Sequence, residues 1–168
     1  MNNRIDASYD ELALGQVFRS GGRTITESDV VNFCMLTGNW LEIHSNAHYA
    51  AKTRFGKRLV QGSLVYALIP GLIQFGAAVQ ANYGLDHLRY LTPVYIDDTI
   101  YVVAEVVRKK EKDDKAGVVT LLMKVINQRG DVTQASEFSL LFLRRRADVD
   151  ALIAASMPPL PVAAEQVR

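Results

Sequence analysis

The chain has 168 residues, 49% hydrophobic and 22% charged, which suits one soluble globular domain large enough to bury its own core. Nineteen basic and 18 acidic side chains leave a net charge of +1. That balance excludes a general attraction to nucleic acid, so any anion-binding site must be local.

The segment before residue 7 lacks the apolar core of a signal peptide. Residues 64–79 form the only long apolar run, broken by Pro70, Gly71, Gln74 and Gly76. It falls short of the roughly 20 apolar residues that cross a bilayer, so a buried core helix is expected. The single cysteine, Cys34, excludes a disulfide within one chain and fits a reducing, cytoplasmic setting. Its apolar neighbours make it a small buried hydrophobe.

In chain order, residues 12–20 read as a weak strand or loop and 23–26 as a short extended piece. Thr26, with Glu27 and Asp29 behind it, predicts a helix start. Val30, Val31, Phe33, Cys34, Met35 and Leu36 cover one broad helical face, and Gly38 is a stop signal. Asn46 is placed to cap a short helix running to Lys52. A basic loop at 54–58 leads into the long apolar helix, from about Ser63 to Val79, loosened at Pro70 and Gly71. Residues 87–94, 99–108, 118–128 and 133–144 are rich in Val, Ile, Leu, Tyr and Phe and predict four strands. The short turns at Asp97-Asp98, 113–117 and 129–131 make them antiparallel. A short helix at 148–156, stopped by Pro158 and Pro159, precedes a C-terminal tail that is expected to be mobile. One apolar helix wrapped by a long antiparallel sheet is a two-layer α+β domain.

The chemistry concentrates between Phe33 and Ser63. Thr37-Gly38-Asn39-Trp40-Leu41-Glu42-Ile43-His44 sets a polar residue and a histidine five apart beyond a helix end, the arrangement that water activation needs. Gln61-Gly62-Ser63 opens the apolar helix, and a helix N-terminus offers free N–H groups and the positive end of the dipole to a developing oxyanion. Several features have plainer readings. Gly38-Asn39 alone is a common helix-end turn. His44 and His48 have metal-ligand spacing but no third ligand nearby, so no metal site is expected and His48 reads as a surface residue. Trp40 reads as packing, His87 as structural, and Arg144-Arg145-Arg146 as a solvated strand end.

Together, Gly38-Asn39-Trp40-Leu41-Glu42-Ile43-His44, Val60-Gln61-Gly62-Ser63-Leu64, and the stretch from Leu88 through Pro93 to Asp97-Asp98-Thr99 resemble the MaoC-like dehydratases, the hot dog fold family that includes the R-specific enoyl-CoA hydratases. The resemblance spans residues 10–145 of what reads as one domain over 1–168, with 146–168 as a tail. It implies a curved antiparallel sheet around a central helix and a homodimer that hides the open sheet edge. It also implies addition or removal of water on an enoyl or 3-hydroxyacyl thioester of coenzyme A or acyl carrier protein, with no cofactor beyond the substrate's own coenzyme A.

On that resemblance Asn39, His44 and Gly62 occupy the catalytic positions, and Gln61 and Ser63 flank the thioester. Arg54, Lys57 and Arg58 are the nearest cations for carrier phosphates, with Arg89 and residues 108–110 as alternatives. Leu64, Val65, Leu68 and Tyr83 are candidates for the acyl slot, though all are equally explained as core.

Three departures from the family pattern matter. Asn39 stands where the family has its catalytic aspartate, Glu42 replaces a proline, and Gln61 replaces a common histidine. A carboxamide can orient water but cannot take its proton. Weakened turnover on His44 alone, compensation by Glu42, and thioester binding without chemistry all remain open. A hot dog thioesterase is disfavoured, because no Asp or Glu occurs between Glu42 and Asp86.

Overall fold

The computed structural model describes residues 2–158. The tail expected after Pro159 lies outside the described residues. Local sequence rules account for the first half of the chain. Strands β1 (Arg4–Ile5), β2 (Val17–Arg19) and β3 (Arg23–Thr24) precede helix α1 (Glu27–Thr37). Thr26 and Asp29 close a reciprocal capping box: the Asp29 N–H donates to Thr26 Oγ1 at 3.2 Å, and the Thr26 N–H donates to Asp29 Oδ2 at 2.8 Å. At the other end Gly38 takes the left-handed conformation, φ 70°, and its N–H donates to the Cys34 carbonyl. The face of α1 is narrower than its composition predicts. Only Val30 and Cys34 are buried, whereas Met35 and Leu36 are 70% and 84% exposed.

Two single-turn helices follow, α2 (Glu42–Ser45) and α3 (Ala47–Ala50), the second capped by Asn46, whose Oδ1 accepts from the Tyr49 N–H. The central helix α4 runs over Gly62–Leu72, not on to Val79. Ile73, the residue that caps it, is extended, and β4 (Gln74–Phe75) pairs in parallel with β1. Long-range pairing with the N-terminal segment thus ends a run whose apolar composition would otherwise continue a helix.

The remaining strands, β5 (Val79–Tyr90), β6 (Thr99–Glu111), β7 (Ala116–Asn127) and β8 (Val132–Leu143), form an antiparallel sheet in the order β2-β6-β7-β8-β5, with β3 also on β6. The first long strand therefore starts well before residue 87 and stops at Tyr90. Its polar, mostly exposed sequence conceals it, because β5 is an edge that pairs only with β8 among the described strands. The inward rows of β6, β7 and β8 pack on Leu64, Val65 and Ile69 of α4, the hot dog arrangement. Of the side chains considered for an acyl slot, Leu64 is core, Leu68 packs against it, and Tyr83 stands outside on β5 under Lys112.

Helix α5 (Arg146–Ser156) begins two residues earlier than its sequence suggests. The arginine run at its start is paired rather than simply solvated. Arg144 meets Asp10 and Glu111, Arg145 meets Asp148, and Arg146 meets Glu11. Trp40, expected to pack, is half exposed on the turn after α1.

Candidate active site

His44 is held by backbone on two sides. Its own N–H closes a turn on the Leu41 carbonyl at 2.8 Å, and its Nδ1 lies 2.8 Å from the Leu59 carbonyl. That carbonyl is fixed in turn, because the Leu59 N–H donates to Ile43 and the Val60 N–H donates to Val94. A carbonyl can only accept, so Nδ1 carries the proton and the neutral ring keeps its lone pair on Nε2. The fold thus selects the tautomer in which Nε2 is the base.

Gly62 is the first residue of α4. The first bond of the helix comes from the Val65 N–H to the Gln61 carbonyl at 3.2 Å, and Gln61 supplies no side-chain cap. Among the described residues the N–H groups of Gly62, Ser63 and Leu64 have no partner. A side chain at residue 62 would force the Tyr90 ring to move. A Cβ there would come within 2.5 Å of the Tyr90 ring, which lies against the helix start.

These two groups share one cavity of about 380 Å³. His44, Gly62, Val65, Phe55, Leu59 and Val60 form one part of its wall, Tyr90, Leu91, Thr92, Pro93 and Val94 another, and Thr133 and Gln134 of β8 a third. Arg54 completes it, exposed and with its guanidinium 5.0 Å from the centre of the Phe55 ring. The wall is mainly apolar and, among the described residues, carries no carboxylate.

The other candidate residues lie elsewhere. Asn39 is half-buried in the turn behind Gly38 and is not among the lining residues; its N–H donates to Thr37 Oγ1 at 3.3 Å. Glu42 accepts from the Asn46 carboxamide. Gln61 is fully buried behind the helix start, where its Nε2 donates to Cys34 Sγ at 2.9 Å, and Ser63 is exposed. Lys57 and Arg58 line a separate depression with Glu27 and Asp97. There Arg58 makes a two-pronged pair with Glu27, whose hydrogen bonds hold the Glu27 carboxyl below its usual range. His48 is exposed, and among the described residues no three His, Cys, Asp or Glu side chains come together as metal ligands. Among the described residues no helix is long and apolar enough to cross a membrane.

The turn at Asp97-Asp98 braces the far side of the cavity. Asp97 has φ 72°, a conformation that favours glycine. Burial alone would raise the Asp98 carboxyl. Hydrogen bonds from Arg129, the Tyr95 N–H and Gln128 outweigh it and hold the group below its ordinary value. This anchors the start of β6 next to the segment 91–95.

Thr133 and Gln134 were not legible as site residues. They are brought in by pairing between β8 and β5, with Gln134 opposite Tyr90. A polar pair at the head of a strand whose far end, Leu140–Leu143, is apolar is the local signal.

Fold and cavity together define a hot dog domain with a mainly apolar pocket at the N-terminus of its central helix. The chain belongs to the MaoC like domain family, whose model matches residues 11–128. Protein MaoC of Klebsiella aerogenes is 36% identical over 110 residues, covering 64% of this chain and 33% of that protein, so the chain spans about a third of that relative's length. The structure of a monoamine oxidase regulatory protein from Archaeoglobus superposes with a TM-score of 0.80 at 34% identity, covering 86% of this chain and 99% of the other. R-hydratase PhaJ1 from Pseudomonas aeruginosa superposes at 0.68 with 28% identity, covering 83% and 88%.

Proposed function

We propose that this chain is an acyl-thioester hydratase or dehydratase, acting on enoyl and 3-hydroxyacyl thioesters. The observation that supports it best is that His44, with Nε2 free, and Gly62, with its N–H free, line the same cavity. In the hydration direction His44 Nε2 takes a proton from water as the water oxygen bonds to C3 of the enoyl chain. The electron pair displaced from the double bond moves onto the thioester oxygen. The Gly62 N–H and the helix dipole stabilise that enolate. The enolate then takes a proton at C2 from the imidazolium, which restores His44 and leaves the 3-hydroxyacyl thioester. Dehydration is the reverse.

The carrier, coenzyme A or acyl carrier protein, would leave the cavity beside Arg54, the one cation in its wall, which can meet a phosphate. A homodimer that pairs the β5 edges would cover that exposed strand.

A second reading, thioester binding without turnover, is favoured by the absence of any carboxylate in the wall. An assay of water addition across a panel of enoyl thioesters separates the two. The hydratase reading expects crotonyl-CoA to be consumed, and His44→Ala to lower the rate by roughly two to four orders of magnitude. Thioester binding with no turnover in the unaltered chain selects the second reading.

A further inference from the structure

Gln134 is 1% exposed, yet among the described residues neither Nε2 nor Oε1 of its carboxamide has a hydrogen-bond partner, and the side chain lines the cavity. The inward row of β8 shows where the amide sits. Phe142, Leu140 and Phe138 are apolar, and the row then turns polar at Ser136 and Gln134. Phe138 stacks obliquely on Tyr66 of α4, ring centres 5.3 Å apart. The polar end of the row therefore lies beside the first turn of the helix, where Gly62 and Val65 share the cavity with Gln134. Ser136 Oγ, two residues along the strand, is also buried without a partner.

Folding gains nothing from a buried amide that bonds to no other group, and a hydrocarbon of similar volume would be more stable there. A single group that meets both atoms must accept from Nε2 and donate to Oε1. A hydroxyl does both. An alkyl chain does neither, and a carboxylate only accepts, so it would leave the Nε2 served and Oε1 repelled.

We propose that Gln134 is a positioning residue that holds the 3-hydroxyl of the acyl thioester and, in the hydration direction, the water that becomes it. The inference rests on the hydratase reading above. The amide exchanges no proton in the step: Nε2 donates to the oxygen, Oε1 accepts one of its hydrogens, and the other hydrogen goes to His44. It gives the water a second fixed partner without calling on Asn39.

The test uses the full chain carrying His44→Ala, so that bound thioester is not turned over. Calorimetric titration compares each enantiomer of 3-hydroxybutyryl-CoA with butyryl-CoA. One enantiomer is expected to bind about tenfold tighter than butyryl-CoA, the worth of one to two neutral hydrogen bonds. Adding Gln134→Leu should erase that difference and leave butyryl-CoA affinity within about twofold. With His44 intact, Gln134→Leu should lower kcat for crotonyl-CoA about tenfold with little change in KM, and should not lower the melting temperature. If the leucine variant folds poorly, Gln134→Met replaces it. A hydroxyl preference that survives loss of the amide overturns the proposal, as does butyryl-CoA binding with no hydroxyl preference; both leave the hydratase reading standing. No binding of any of these thioesters, together with no turnover by the unaltered chain, overturns the hydratase reading and the role of Gln134 with it.

Discussion

The two ends of the central helix are built on opposite principles. At the C-terminal end Ile69 and Ile73 are buried in the same core as Ile5, Ala78 and Phe142, the β1–β4 pair closes the backbone, and Arg144 and Arg146 tie the surface together with Asp10, Glu111 and Glu11. At the N-terminal end three helix N–H groups are unpaired and a cavity stands open. Every buried side-chain polar atom found without a partner among the described residues belongs to Gln61, Gln134 or Ser136. One end holds the domain together. The other leaves hydrogen-bonding groups available at a cost in stability, which suits the binding role proposed above.

The sharpest way to break this contrast is to damage the closed end and look for an effect on the open one. Phe142→Ala should destabilise the fold by about 3–5 kcal/mol, because a fully buried aromatic leaves a cavity behind. Denaturant unfolding reads that loss. The KM of the molecules still folded should not move, and a changed KM would mean the two ends are coupled.

Gly62→Ala reverses the experiment. Alanine favours a helix over glycine by about 1 kcal/mol, so the helix itself is not harmed. The new methyl group meets the Tyr90 ring, which is 58% exposed and can swing outward. Alanine keeps the N–H, so any damage comes from the methyl group and the displaced ring crowding the proposed oxyanion site, with a loss of up to about 10²-fold in kcat and an unchanged melting temperature. A lowered melting temperature would instead make Gly62 a packing residue only.

Asn39→Asp is expected to raise crotonyl-CoA hydration by at least about tenfold if the turn behind Gly38, which stands outside the cavity lining, brings the new carboxylate within reach of water at His44. Steady-state rates at neutral pH measure it. Unchanged turnover would leave the water to His44 and Gln134 and make residue 39 a helix-end turn, in keeping with its place behind Gly38.

How much of this could be read in advance divides along similar lines. The Thr26 capping box, the left-handed Gly38 and the cap at Asn46 are short-range effects, written in residues a few positions apart. The start of α4 at Gly62 was legible because a glycine opens an apolar run there. Its end was not, because Ile73 is turned out of the helix by strand pairing with residues near the N-terminus. Gly76 belongs to the same event, since any Cβ there would collide with Asp6. Strand β5 was half hidden because an exposed edge has no need of apolar alternation. In the site, His44 and Gly62 carry local signatures. Tyr90 and Gln134 reach the cavity only through sheet register, which no spacing in the chain records. The basic loop misleads for a related reason: Arg54, Lys57 and Arg58 are neighbours in sequence, but only Arg54 faces the cavity.

The smallest expected effect belongs to the ion pairs of the closed end. Hydrogen bonds from Arg146, and then from the Ser8 N–H and hydroxyl, lower the Glu11 carboxyl from 4.5 to about 2. A folded value below the unfolded one means that Glu11 contributes stability above its ordinary titration range, and that the contribution is lost as pH falls from 4.5 through about 2. Glu11→Gln should therefore be less stable than the parent at neutral pH, and the two curves should converge as the solution approaches pH 2. Both partners are well exposed, so solvent and salt screen the pair and the gap should shrink in 1 M salt, where the Debye length is about 3 Å. Thermal melts at a series of pH values test the convergence. Because Glu11 is remote from every residue lining the cavity wall in sequence and contact, crotonyl-CoA turnover at neutral pH should be the same in both proteins; a difference would show that the surface clamp at one end of the helix reaches the chemistry at the other.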